Sequence, residues 1–530
     1  MADVSTLAQS FIPDAATDKS ILELLGKEVP LERRIFVNRN LRLGNIEHVG
    51  FDLDWTLADY ARLPLGNLTF EAVLDRLVGK YGYPPAVRKA EFRPDFYHRG
   101  LLIDKQIGTV LKMDRHRYVG RAYLGRTHLT PDDRKRIYRE KRIDLSRERF
   151  YHVDTLFELP EVNLFSEFVE LLQTGQLGTW QPTFQEVFTA IRAATDEVHA
   201  DGTLKRVILS DLPRFIPDKH EVGLTLRKMK REGRRLILIT NSEWYYTNAV
   251  CSYLFGDGAG SPPGAPAEAA GSWRDIFDLV VVSAAKPLFF QKPRPFLELD
   301  DQGEVAGEVL TPAWGGIYSG GSRDGLMALL GTLGEKILYI GDHIYGDIRW
   351  TRVSSTWRTA LIVSELEEEL QTRETLLTDL NEARSLAAFG YELESRLGRL
   401  NEMIAIVSAG GGNTEELRTQ RAELVRRLRR LQREARSRQD RLAAAFNPTW
   451  GSVFRQGTSK SLFAEEVEDY ACLYTSRLSN FLYYGADQYF RVLSDPMMHD
   501  NFIQRPSDPG LPPSQPMKTA DSPGRKLQPT

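Results

Sequence analysis

The chain reads as an α/β protein: a doubly wound parallel sheet, interrupted by an inserted domain and followed by a helical hairpin. Three observations predict this. Short apolar runs of strand length end in polar residues and alternate with helical patterns. About 180 residues separate the first such run from the second, far more than a connection needs. After Leu370, leucines recur at steps of three and four on either side of a glycine-rich break.

The runs are "IEHVGF" (Ile46–Phe51), "RRLILIT" (Arg234–Thr240), "FDLVVVSA" (Phe277–Ala284), "KILYIGD" (Lys336–Asp342) and "TALIV" (Thr359–Val363). Between the first two, "VNLFSEFVELLQ" (Val162–Gln173) and "FQEVFTAIRAATDEVH" (Phe184–His199) carry helical periodicity, which marks an inserted cap domain. "GDGAGSPPGAPAEAAGS" (Gly256–Ser272) has linker composition. "YSGGS" (Tyr318–Ser322) is a turn that positions the helix beginning in "SRDGLMALL", with a phosphate-cradling loop as the alternative. Leu386, Phe389, Leu393, Leu397, Leu400, Ile404 and Val407, then Leu417, Leu424, Leu428, Leu431, Ala435 and Leu442, flank "AGGGN" (Ala409–Asn413) and predict an antiparallel helix pair with an arginine-rich outer face.

The expected organisation follows: an N-terminal helical segment (1–34), a discontinuous catalytic core (35–60 and 206–370), the inserted cap (61–205) and the helical hairpin (371–448). The aromatic "FLYYGADQYF" lies in a segment (449–506) expected to pack on the core or on a partner subunit, before a disordered, proline-rich tail (507–530).

Bulk properties narrow the function. The 530 residues are 42% hydrophobic and 27% charged with net charge -3, which gives no case for a nucleic-acid partner. Cys251 and Cys472 are the two cysteines, too few for a disulfide framework in so long a chain. No apolar run approaches the ~20 residues that span a bilayer, and the first residues lack a signal-peptide pattern. The expectation is a cytoplasmic protein without membrane partners.

Ligands of open α/β sheets bind beyond the carboxyl ends of the strands. Asp52, Asp54, Thr240, Lys286 and Asp342 all fall there. Asp52 suits a carboxylate nucleophile and Asp54 a general acid and base. Asp342 adds a carboxylate for a hard cation, most plausibly Mg²⁺, which two acids and a phosphate dianion would need between them. Thr240 and the N–H groups of Asn241 and Ser242 can donate to phosphate oxygens, and Lys286 offsets developing negative charge.

"DLDWT", "TNS", the lysine of "KPLFF" and "GDHIYGD" resemble the four motifs of the haloacid dehalogenase-like hydrolases. The longer strings "FVNRNLRLGNIEHVGFDLDWTLADY", "LITNSEWYYTNAV", "ILYIGDHIYGDI" and "WRTALIV" are similar to the cytosolic purine 5'-nucleotidase family, which acts on inosine and guanosine monophosphates. The resemblance runs in patches from Ile35 to Leu370 and returns at Gly451–Tyr484. It implies an aspartyl-phosphate on Asp52, Mg²⁺ held by Asp52, the Asp54 backbone carbonyl and Asp342, and Asp347 as support of the metal site.

It also implies that Arg192, Asp196, His199 and Lys205 contact the nucleotide, and the first three share one helix face at i, i+4 and i+7. The family's Phe-Asn pair for the purine has its expected counterpart in "YVGRAYLGRTH" (Tyr118–His128), which lacks it and offers Tyr123 for stacking. The expected function is hydrolysis of nucleoside 5'-monophosphates, purines favoured, by a homo-oligomer (dimer or tetramer), with phosphotransfer to a nucleoside as a side activity. The alternatives are the same chemistry on a non-nucleotide phosphate monoester, and an assembly protein whose working part is the hairpin.

Overall fold

The computed structural model describes residues 24–138, 143–145, 148–217, 220–256 and 272–493. Most of the expected N-terminal segment, nearly all of the Gly256–Ser272 linker, the end of the C-terminal segment and the whole 507–530 tail lie outside the described residues. Two compact units divide the chain, one ending at Glu374 and resuming at Ala443, the other beginning at Thr375 and including Leu442.

In the first unit a ten-stranded sheet forms the centre. Its parallel strands are β1 (His48–Phe51), β2 (Arg235–Ile239), β3 (Leu279–Val282), β4 (Ile317–Gly320), β5 (Ile337–Gly341), β6 (Arg358–Ile362) and β7 (Leu473–Thr475). They lie in the order β7-β6-β5-β1-β2-β3-β4, so the first strand in sequence is central. Antiparallel Phe36–Val37 closes one edge, and the hairpin Phe296–Leu299 and Val305–Val309 closes the other. Every residue of β1, β3 and β5 is buried, and the unbroken apolar run of β3 is the pattern of a parallel strand covered on both faces.

Two glycines admit side chains that serve the strand ends. A Cβ on Gly50 would stand 2.8 Å from the Tyr339 ring, and one on Gly341 would stand 2.5 Å from Asp347 Oδ2. Neither aromatic ring nor carboxylate could approach a larger residue so closely.

The first strand starts two residues later than its apolar run, at His48. Leu43–Asn45 form a tight turn in which Ile46 N–H donates to Leu43 O, so Ile46 is spent closing the turn. The reading of "YSGGS" as a turn needs correction, since Tyr318–Gly320 lie inside β4. Only Ser322 serves the following helix, its hydroxyl accepting from Gly325 N–H. The C-terminal segment does more than lie on the core, because "LYT" adds β7 to the sheet.

Between β1 and β2 stand helices α1 (Arg62–Gly79), α2 (Leu159–Gln173), α3 (Phe184–Ala200) and α4 (Thr203–Ser210), together with a separate five-stranded antiparallel sheet. That sheet comprises Leu101–Asp104, Thr109–Met113, Val119–Leu124, Thr127–His128 and Phe150–Val153. Helix α5 (Trp244–Phe255) follows β2.

In the second unit, α6 (Leu377–Ala409) meets α7 (Glu415–Phe446) through buried Leu393, Leu400, Leu424 and Leu428. Arg421 donates to Asn401 and Gln432 to Glu394, and Arg438 pairs with Glu382. Rising numbers on one helix meet falling numbers on the other, so the two run antiparallel. No helix among the described residues is long and apolar enough to cross a membrane.

Candidate active site at the strand ends

Four loops, leaving the carboxyl ends of β1, β2, β3 and β5, converge at one place, the last of them running into the π-helical turn Ile344–Arg349. The backbone there is unusual. Of four non-glycine residues with left-handed φ among the described residues, Trp55 follows β1, and Ser283 and Ala285 follow β3. Such torsions persist only where surrounding contacts hold them, and they cluster at functional sites.

Lys286 stands at the centre. Its Nζ lies 2.8 Å from Asp52 Oδ1 and 2.7 Å from Asp347 Oδ1, and it donates to the Tyr339 hydroxyl at 3.0 Å. The side chain is almost wholly buried. Burial alone would favour its neutral form, but the Asp347 and Asp52 carboxylates outweigh it and hold the ammonium well above the ordinary lysine range. Asn241 fixes the lysine from behind. It accepts from Lys286 N–H at 2.6 Å and donates to Lys286 O at 3.1 Å.

Asp52 also accepts from Leu53 N–H at 2.8 Å. Burial pushes its carboxyl up to about 7, with Asp347 and Asp54 adding to the rise and Lys286 opposing it. Asp54 is half-buried and held at both oxygens. Tyr60 donates to Oδ1 at 2.6 Å and Ser242 donates to Oδ2 at 2.8 Å. Thr240 is fully buried, and its hydroxyl oxygen accepts from Ser242 N–H at 3.0 Å.

Asp52, Asp342 and Asp347 each offer an oxygen such that all three lie within 4.8 Å of one another. Asp342 is buried, and its Oδ2 has no hydrogen-bond partner among the described residues. Arg99 faces that carboxylate, with Nη1 3.8 Å from Oδ2 while it donates to Asp342 O at 2.9 Å. Burial raises the Asp342 carboxyl well above its usual range. A buried carboxylate oxygen without a donor is costly, and a hard cation that takes oxygen ligands would satisfy all three acids. The donor set therefore fits a divalent metal.

Arg99 was not singled out by sequence reasoning. It comes from the insertion, is 1% exposed, and makes a two-pronged pair with Glu365 at 2.9 and 2.5 Å.

The insertion residues behave differently. Arg192 donates to Glu161 at 2.6 Å and Tyr151 at 2.9 Å, and pairs with Asp196 one turn away. His199 Nδ1–H donates to Thr195 O at 2.7 Å, and the ring meets Phe157 edge-on at 5.9 Å. Burial holds the His199 imidazole below its ordinary range. Lys205 pairs with Glu243, immediately after Ser242, and stands 5.2 Å over the Tyr246 ring. Thus Lys205 meets the strand-end loops directly, His199 reaches them through one aromatic ring, and Arg192 and Asp196 pair with groups of the insertion.

The stacking expectation for Tyr123 is not met. Tyr123 sits on Val119–Leu124 of the small sheet and packs against Phe96, His128 and Trp450, at 5.6, 5.0 and 4.8 Å between ring centroids. The aromatic ring beside the strand-end loops is Phe157, 5.9 Å from Trp55 and 6.1 Å from Tyr60. Its sequence signal was the capping box Thr155–Glu158 in "TLFELP", which fixes Phe157 in the turn that opens α2. A cavity of about 610 Å³ is lined by Trp55 and Phe157 with Arg62, Phe92, Tyr97 and Asn163, and does not include the strand-end carboxylates.

A sequence model of the 5' nucleotidase family matches residues 35–502. A 5'-nucleotidase domain-containing protein of Dictyostelium discoideum is 28% identical over 456 residues, covering 85% of this chain and 72% of that protein.

Proposed function

The chain belongs to the 5' nucleotidase family, and from that premise we propose that it is a metal-dependent phosphomonoesterase that hydrolyses nucleoside 5'-monophosphates, with IMP and GMP favoured, through a phosphorylated Asp52. In this reading the fold is a haloacid dehalogenase-like core with 61–205 as its cap. The observation that supports it most is the buried lysine bridging Asp52 and Asp347 at 2.8 and 2.7 Å beside the orphaned Asp342 oxygen.

In the first step an Asp52 oxygen attacks phosphorus. The bond to the nucleoside oxygen breaks, and that oxygen takes a proton from Asp54. In the second, water attacks the same phosphorus, gives its proton to Asp54, and the Asp52–phosphorus bond breaks. A nucleoside hydroxyl arriving in place of water yields phosphotransfer. Lys286 stays protonated throughout and faces the phosphoryl oxygens, where charge accumulates. Thr240 and the Asn241 and Ser242 N–H groups orient the phosphate, while Ser242's hydroxyl holds Asp54. Mg²⁺ bound by Asp52, the Asp54 backbone carbonyl and Asp342, with Asp347 beside it, would neutralise phosphoryl oxygens as a Lewis acid. On the insertion side, Lys205 and His199 are the nearer groups for the nucleotide, with Arg192 and Asp196 behind them. The reading includes a cytoplasmic setting and a homo-oligomer, dimer or tetramer.

One observation favours a second reading, a non-nucleotide phosphate monoester. The residue after Phe157 is Glu158 rather than an asparagine, and its carboxylate is taken up by Tyr151 at 2.5 Å and Asp154 N–H at 2.7 Å.

The test is phosphate release from IMP, GMP, AMP, UMP and several sugar phosphates, with and without Mg²⁺, with Asp52→Asn as control. Metal-dependent release led by IMP or GMP and lost in the control is expected. Sugar phosphates well ahead of every nucleotide would overturn the substrate, and an active Asp52→Asn would overturn the mechanism.

A further inference from the structure

Two tyrosines to which the catalytic reading gives no role stand behind Asp54. Tyr60 lies ten residues after Gly50, at the end of "DLDWTLADY", and Tyr246 lies in the first turn of α5. Both are buried. The Tyr60 hydroxyl donates to Asp54 Oδ1 at 2.6 Å, as it must when Asp54 is ionised and ready to take the proton of the attacking water. The Tyr60 oxygen then accepts from the Tyr246 hydroxyl at 2.7 Å, which sets the direction of both bonds. Burial, followed by the Asp54 charge, raises both phenols, so each keeps its proton.

We propose that Tyr60 and Tyr246 form a relay that positions Asp54 for proton transfer, Tyr60 directly and Tyr246 only through Tyr60. The proposal rests on the reading of Asp54 as general acid and base. With Oδ1 held by Tyr60 and Oδ2 by Ser242, the carboxyl plane has no freedom to rotate, and its remaining lone pairs keep one direction. Reacting groups held in this way gain rate from orientation, and small misplacements are costly. The relay ends under Lys205, whose ammonium stands over the Tyr246 ring and pairs with Glu243 at the start of α5. Neither tyrosine touches the reacting atoms; both are positioning residues.

The test compares wild type, Tyr60→Phe, Tyr246→Phe and the double variant in the full chain. On IMP, Tyr60→Phe is expected to lower kcat about 10- to 100-fold with KM nearly unchanged, since general acid–base catalysis contributes about 10²–10⁴ in all. Tyr246→Phe lowers kcat less, and has no further effect once Tyr60 is phenylalanine. p-Nitrophenolate leaves without needing a proton. Its release from p-nitrophenyl phosphate in a single turnover is therefore spared in both variants.

A Tyr60→Phe enzyme within twofold of wild type, equal slowing of both leaving groups, or independent losses that multiply in the double variant each overturn the relay. Should Tyr60→Phe fail to fold, Tyr246→Phe carries the same leaving-group contrast. Asp54→Asn separates the two levels of argument. If it retains turnover, the reading of Asp54 fails; if it is inactive while Tyr60→Phe is normal, the relay alone fails.

Discussion

The strand-end cluster and the polar face of α3 are held by different means. At the strand ends, each side chain leaves a backbone that the sheet has already fixed, and opposite charges meet within 3 Å: Lys286 with Asp52 and Asp347. On α3, Arg192 and Asp196 are held chiefly by one another and by Glu161, all within the insertion. The first arrangement stays in place because a ten-stranded sheet positions it. The second is a local network, and one substitution can rearrange it. On the proposed reading, preorganisation is expected among the strand-end groups and adjustability on α3.

Replacing Lys286 with methionine tests the preorganised half and carries the largest expected effect. kcat should fall about 10²–10³-fold, the scale for removing one charge-stabilising donor, measured by steady-state phosphate release. A loss below tenfold would mean that the lysine only neutralises Asp347.

Arg99 links the halves, since it leaves the insertion and meets Asp342 O in the core. Arg99→Met should cost about 3–5 kcal/mol in denaturant unfolding, the range for breaking a buried pair. Burial would raise Glu365, but Arg99 overrides it and holds the carboxyl down to about 2, against an ordinary value of 4.5. That stabilisation is complete above pH 4.5 and is lost as pH falls toward 2. Glu365→Gln should accordingly flatten the acid limb of the stability curve. A wild-type acid limb in that variant would remove the pair from the balance.

The smallest effect separates structure from binding on α3. Glu161 is pushed up to about 8 by burial even with Arg192 beside it. Arg192→Met strands this acid, and Glu161→Gln added to it should recover most of the stability by about 1–3 kcal/mol. If KM for the nucleotide stays about tenfold raised in the recovered double variant, Arg192 binds substrate. A restored KM would make it a structural residue.

Much of the core was legible because a parallel strand buried on both faces writes itself as an apolar run, and its end is marked by the first polar residue. Asp52, Asp54, Thr240, Lys286 and Asp342 were placed by that rule. Asp347 came only from the family resemblance, because it lies inside a π-helical turn beyond the strand end. β7 was missed: three residues, "LYT", beyond the hairpin carry too little pattern to announce a strand. Tyr123 was named because the family's Phe-Asn pair was placed on "YVGRAYLGRTH", while Phe157, fixed by the capping box Thr155–Glu158, was not considered.

By itself the sequence placed five of the seven parallel strands and the acidic and basic residues at their ends, since both are written in local patterns of polarity and spacing. Only the tertiary structure decided which distant groups complete the site. Tyr60 meets Tyr246 across 186 positions and Arg99 meets Asp342 across 243. Such contacts are set by how sheet and helices pack, and a buried hydroxyl or guanidinium takes whichever partner that packing brings within hydrogen-bond reach.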